Sequence, residues 1–164
     1  MRLSKLTIFF GTYIIISASF MRQVWEFINN AAGRSNARLA CILLFCIMVV
    51  FSLRYLFKYR FSFPRLFSNL FITTLAVMFA WWQPYFTEKI HILEYGFLGW
   101  LAVRDLNRNK ACVKSVVLAI FYIFLIGALD EAFQKCLPYR VGEIRDVVTN
   151  IISGLLGITL FLFG

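Results

Sequence analysis

The chain is poor in the residues that build a soluble surface. Only 15% of its 164 residues are charged, only 8 are acidic, and it has one histidine and three prolines. Its four cysteines form no CxxC pair and no cysteine/histidine spacing of the kind that binds structural zinc, so nothing in them points to a zinc module. Cys41, Cys46, Cys112 and Cys136 read instead as small apolar packing residues. Walker-type phosphate loops, nucleophile elbows and HExxH pairs are missing, which leaves no nucleotide site and no familiar hydrolase centre. No internal repeat, low-complexity tract or Pro/Gly linker divides the chain.

Apolar side chains make up 61% of the sequence, with 19 phenylalanines. A soluble domain of this size has too little interior to hide that much apolar surface. The composition therefore indicates an all-α integral membrane bundle. Runs free of Asp, Glu, Lys and Arg occur at Leu6–Met21, Leu39–Leu53, Leu66–Thr87, Ser115–Leu129 and Val147–Gly164. Crossing the hydrocarbon takes about 20 residues, or about 17 with snorkelling flanks. A sixth segment, Ile90–Val103, carries His91 and Glu94 and becomes long enough when extended to Leu106, giving about six spans. The opening run ends in Ser17-Ala18-Ser19, the outline of a signal peptide, but it is expected to remain as an uncleaved first helix.

The balance of 17 basic against 8 acidic residues would suggest nucleic acid in a soluble protein. Here the basic residues flank apolar segments, and no basic face interleaves with exposed aromatics, so no nucleic-acid partner is expected. With six spans, ten Lys/Arg fall on the side of the N-terminus and of the segments Arg54–Arg65 and Arg104–Lys114, against seven on the other. That excess favours a multi-pass cell-membrane protein with both termini in the cytoplasm, although the basic residues of Arg22–Arg38 run against it.

The acids are clustered. All except Glu26 lie between Glu88 and Asp146. Asp105 apart, they fall at the start of the fourth span, the end of the fifth and the start of the sixth, three ends that share one face of an alternating bundle. Under the charge bias that face is extracytoplasmic. His91 with Glu94 and His91 with Tyr95 stand one helical turn apart, as do Glu131 with Gln134 and Asp146 with Asn150. Ionisable groups at such depth tend to face the bundle interior or a watery cavity. The candidate acid–base or metal-ligating set is His91, Glu94, Glu131 and Asp146, a divalent metal being an open alternative. Tyr95, Gln134, Arg140 and Asn150 are candidates for holding substrate, Arg140 as a bidentate clamp on an anionic group set by the turn at Pro138-Tyr139.

The run Glu131-x-x-Gln134-x-x-x-Pro138-x-Arg140, followed by Asp146-x-x-x-Asn150 and Gly157, resembles the signature of the VanZ-like membrane proteins. His91-x-x-x-Tyr95-x-x-Leu98-Gly99 is similar to its upstream half. The resemblance covers residues 66–164 and makes 1–65 an N-terminal pair of helices ahead of a four-helix VanZ-like region. Two positions depart from the pattern: Lys89 stands two rather than three residues ahead of His91, and Ser153 stands where glycine is common. The resemblance implies a bacterial inner-membrane protein of the cell envelope, the namesake being associated with lowered sensitivity to teicoplanin. Beside membrane lipids, the expected partner is a lipid-linked envelope precursor or a glycopeptide. Three readings follow: an enzyme on such a substrate, a non-catalytic binding or resistance factor, and a helix bundle whose polar pairs only set register.

Overall fold

The computed structural model describes residues 2–33, 63–83, 86–107, 112–138 and 143–163, with positions 36, 39, 43, 46 and 50 singly. The run expected at Leu39–Leu53 falls largely outside these residues, as does Arg140. Six helices and no strand occur among the described residues: α1 (Lys5–Ser17), α2 (Met21–Ala32), α3 (Phe63–Trp82), α4 (Phe86–Leu106), α5 (Cys112–Lys135) and α6 (Ile144–Phe163). Three segments, Phe63–Trp82, Val113–Lys135 and Ile144–Phe163, are long and apolar enough to cross a membrane.

The pattern of exposure is that of a protein solvated by hydrocarbon. Phe67, Phe71, Met78, Val117, Phe121 and Phe124 all point outward, while Asp105, Ser115, Asp130, Asn150 and Ser153 are buried. Trp81 and Trp82, the most exposed large apolar side chains among the described residues at 84% and 85%, close α3 where tryptophans of a membrane protein meet the headgroups. The Lys89 ammonium lies 5.9 Å from the centre of the Trp81 ring.

Helix α4 is the centre of the bundle. Tyr95, Leu98, Leu101, Ala102 and Val103 are completely covered. At 21 residues it is about 31 Å long, a full membrane thickness. It is more polar than the three apolar helices because much of its surface meets protein rather than lipid, and hydropathy reads contact with lipid. Its closest neighbour is α6. A methyl group on Gly99 would overlap the Gly154 backbone, and one on Gly157 would overlap the carbonyl of Gly96. The two backbones thus touch, as small residues allow in membrane helix pairs. Ser153 does not hold them apart, since its hydroxyl folds back to donate to Thr149 O at 2.7 Å.

At the far end of α4 the buried Asp105 carboxylate fastens α1. Its Oδ2 accepts from Ser4 N at 2.8 Å and from the Thr7 hydroxyl, and its Oδ1 accepts from Arg104 Nη2 at 2.9 Å. From there α1 runs back along α4, with Phe10 edge-on to Phe97 at 5.1 Å and Ile14 fully buried. Tyr122 of α5 donates to Thr7 O at 3.2 Å.

The run Leu6–Met21 is not one straight span. Helix α1 stops at Ser17, and α2 leaves at 67°. The break follows from where apolar residues lie. In α2, Arg22, Glu26, Asn29 and Asn30 share one side, and Val24, Phe27 and Ile28 share the other. Such a helix suits the membrane interface better than its core.

Candidate functional site

Three helix ends meet at the end of the bundle opposite Asp105. His91 lies five residues into α4, Asp130 five before the end of α5, and Asp146 two into α6, so each sits within about 8 Å of its helix terminus. All carry polar groups to interfacial depth. Two of the helices have a local reason to begin there: Trp81-Trp82 and Pro84 precede α4, while Glu143 and Asp146 place negative charge at the N-terminus of α6.

His91 and Glu94 face one another on α4, with Nδ1 and Oε2 3.4 Å apart and both side chains mostly covered. The imidazole also lies within electrostatic range of Asp130, Glu131 and Asp146. The imidazole thus feels carboxylates from three helices, with Glu94 alone shown in direct contact. Tyr95, one turn along, is fully buried and donates its hydroxyl to Asp130 Oδ2 at 3.0 Å.

On α5, Glu131 is fully engaged. Its Oε1 accepts from Gln134 Nε2 at 3.2 Å, and its Oε2 accepts from the Glu143 backbone N–H at 3.0 Å. The second bond ties the end of α5 to the start of α6. Its neighbour Asp130 differs. It has no exposed surface; its Oδ1 makes no hydrogen bond of good geometry among the described residues, although the Gln134 amide lies near enough to act on the carboxylate. Asn150, 2% exposed on α6, likewise has an unpartnered Nδ2 among the described residues.

Asp146 is half-covered and its ion-pair partner is the adjacent Arg145, Nε to Oδ1 at 3.7 Å. Arg145 also reaches across to donate to Glu88, bridging the first turns of α4 and α6 at the mouth of the site. The expected residues His91, Glu94, Tyr95, Glu131, Gln134, Asp146 and Asn150 thus lie together at one end. Arg140 lies outside the described residues, and the guanidinium described at the mouth is that of Arg145.

Spacing alone passed over Asp130. Glu131 has the conspicuous partner Gln134, yet the adjacent acid is the one with an open oxygen. The signal in the sequence was Asp130 standing one turn from both Gly127 and Gln134. Among the described residues no three His, Cys, Asp or Glu side chains converge as a set able to hold a metal ion. The donor set suits proton exchange and hydrogen bonding to a polar ligand.

No curated protein and no solved structure matches the chain. A family description, VanZ/LLP1, matches residues 4–164, so the match runs through α1 and α2 as well as the motif-bearing stretch. With its apolar helices and the polar residues of the signature gathered at one end, the chain is a membrane protein and belongs to the VanZ/LLP1 family.

Proposed function

We propose that the protein is a cell-envelope membrane factor whose polar end faces outward and acts by acid–base chemistry on a lipid-linked or glycopeptide-related envelope substrate. The observation that carries this reading is the buried Asp130 carboxylate, held by Tyr95 through one oxygen, without a well-formed hydrogen bond at the other among the described residues, and within electrostatic range of the His91 imidazole. A carboxylate left unpaired away from water is costly. Its retention beside the one histidine of the chain fits a group that exchanges a proton with a ligand. Gln134 and Asn150 orient the ligand, and Arg145, or Arg140 ahead of it, meets an anionic part at the mouth.

The experiment is teicoplanin susceptibility of cells expressing the wild type, His91→Ala or Asp130→Asn, with protein level in the membrane measured alongside. Both variants should accumulate normally and abolish any change in susceptibility conferred by the wild type. Variants that accumulate and leave that change intact would end the acid–base reading.

A structural role has its own support at Glu131. Both of its oxygens are used to bind Gln134 and the backbone N–H of Glu143, the residue just ahead of α6. Glu131 is accordingly assigned to holding the site together rather than to the chemistry.

A further inference from the structure

Two buried polar atoms of opposite character stand unpartnered on neighbouring helices. Asp130 Oδ1 can only accept a hydrogen bond when ionised, and Asn150 Nδ2 can only donate. Neither has a partner among the described residues, so they do not bond each other. Each group costs about 1–3 kcal/mol if left dry. Both belong to one corner of the bundle. Tyr95 binds Asp130 through its hydroxyl. Its ring edge and the Asn150 Cβ and Nδ2 lie 3.7, 3.5 and 3.8 Å from the place a Gly127 side chain would occupy. Gly127 is one turn before Asp130 on the same side of α5, and its missing side chain leaves a methyl-sized space against Tyr95 and Asn150.

The kind of group that satisfies both is narrow. A cationic side chain satisfies only the carboxylate, and an anion satisfies only the amide while repelling Asp130. A hydroxyl does both, donating its proton to Asp130 Oδ1 and accepting from Asn150 Nδ2 through its oxygen. The corner is flanked by helix surfaces that meet hydrocarbon: Leu129 and Phe133, beside Asp130 and Glu131 on α5, point outward. A molecule anchored in the bilayer therefore has its headgroup at the right depth.

We propose that Asp130 and Asn150 form a hydroxyl-binding subsite, and that the hydroxyl belongs to the polar headgroup of a lipid-anchored ligand. This rests on the functional reading above in taking the same pocket as the site, and it narrows the ligand class to lipids bearing a free alcohol. Water has the same donor–acceptor chemistry, and the experiment separates the two sources.

Full-length protein in nanodiscs is offered phosphatidylglycerol or phosphatidylmethanol, lipids of equal charge and chain that differ in the free headgroup hydroxyls. Bound lipid is counted by native mass spectrometry. The wild type should retain phosphatidylglycerol about tenfold better. Asn150→Leu and Asp130→Asn should each reduce that preference several-fold. Gly127→Ala, whose methyl meets Asn150 and Tyr95 only at ordinary contact distances, should fold normally and also reduce it by filling the corner. Equal retention of the two lipids by the wild type overturns the proposal and leaves the corner to water. Preference that survives in all three variants overturns it too, because the hydroxyl is then read elsewhere. The outcome is separable from that of the susceptibility test. A hydroxyl preference without effect on susceptibility sinks the envelope acid–base reading alone, and a susceptibility effect without hydroxyl preference sinks the subsite alone.

Discussion

Adjacent acids with opposite duties are the main feature at the scale of single residues. Glu131 is saturated by Gln134 and Glu143 N, so Glu131→Gln must turn one of these acceptors into a donor facing a donor. Leaving one buried N–H unsatisfied costs about 1–3 kcal/mol. The variant should show a lower melting temperature in detergent and reduced accumulation in the membrane. Asp130→Asn keeps a carbonyl oxygen for the Tyr95 hydroxyl and puts an NH2 in place of Oδ1, which has no well-formed hydrogen bond to lose among the described residues, so its melting temperature should stay within a few degrees of wild type. A large loss of stability in Asp130→Asn, with none in Glu131→Gln, would reverse the two assignments. Tyr95→Phe tests the link between them. It strips Asp130 of its described donor and should impair function more than stability.

The contact between α4 and α6 is where two elements constrain each other most closely. Gly157 faces the Gly96 carbonyl and Gly99 faces the Gly154 backbone, without room for a methyl at either position. Gly157→Ala should force the helices apart, at about 1–3 kcal/mol or more as for other overpacked contacts. It should also misplace His91 relative to Asp146. Gly96→Ala is the control, because its methyl would meet Ser153 O at 3.5 Å, ordinary contact. Thermal unfolding of the two variants in the same detergent should separate them clearly; equal melting temperatures would show that the close approach is not needed. At the opposite end, Asp105 binds α1 through the Ser4 N–H and the Thr7 hydroxyl. Thr7→Val keeps the shape and removes one donor to a buried carboxylate, a loss of about 1.5–3 kcal/mol. Limited proteolysis should then cut preferentially near the bend between α1 and α2.

For the whole molecule, the two ends of α4 carry different polar clusters: a closed one at Asp105 and an open one at His91 and Asp130. The proposed function needs the open end outside and the closed end in the cytoplasm, the orientation that the positive-inside bias favours. In a cysteine-free background, Glu143→Cys should react with a membrane-impermeant maleimide on intact cells, and Asn107→Cys only after permeabilisation. The inverse pattern would turn the molecule over and move the site to the cytoplasmic face.

The sequence by itself determined the class of the protein and the gathering of its polar residues. A hydrophobic content of 61% leaves no soluble solution, and alternation of helices across a membrane sends the ends bearing His91, Glu131 and Asp146 to one face whatever else happens. It also carried enough of the signature to name the family. What it could not settle depends on direction around a helix axis and on contacts between distant segments. Asp130 and Glu131 differ by about 100° around α5 and both are buried, so only tertiary contacts, the Tyr95 hydroxyl on Asp130 and the Glu143 N–H on Glu131, decide which partners each acid meets. The break after Ser17 was hidden because apolar count does not register a change of axis. Even the polarity of α4 was ambiguous in the sequence, since a helix with so much of its surface against protein needs no lipid-facing hydropathy. Its place at the centre came from backbone contact with α6 at Gly96, Gly99, Gly154 and Gly157.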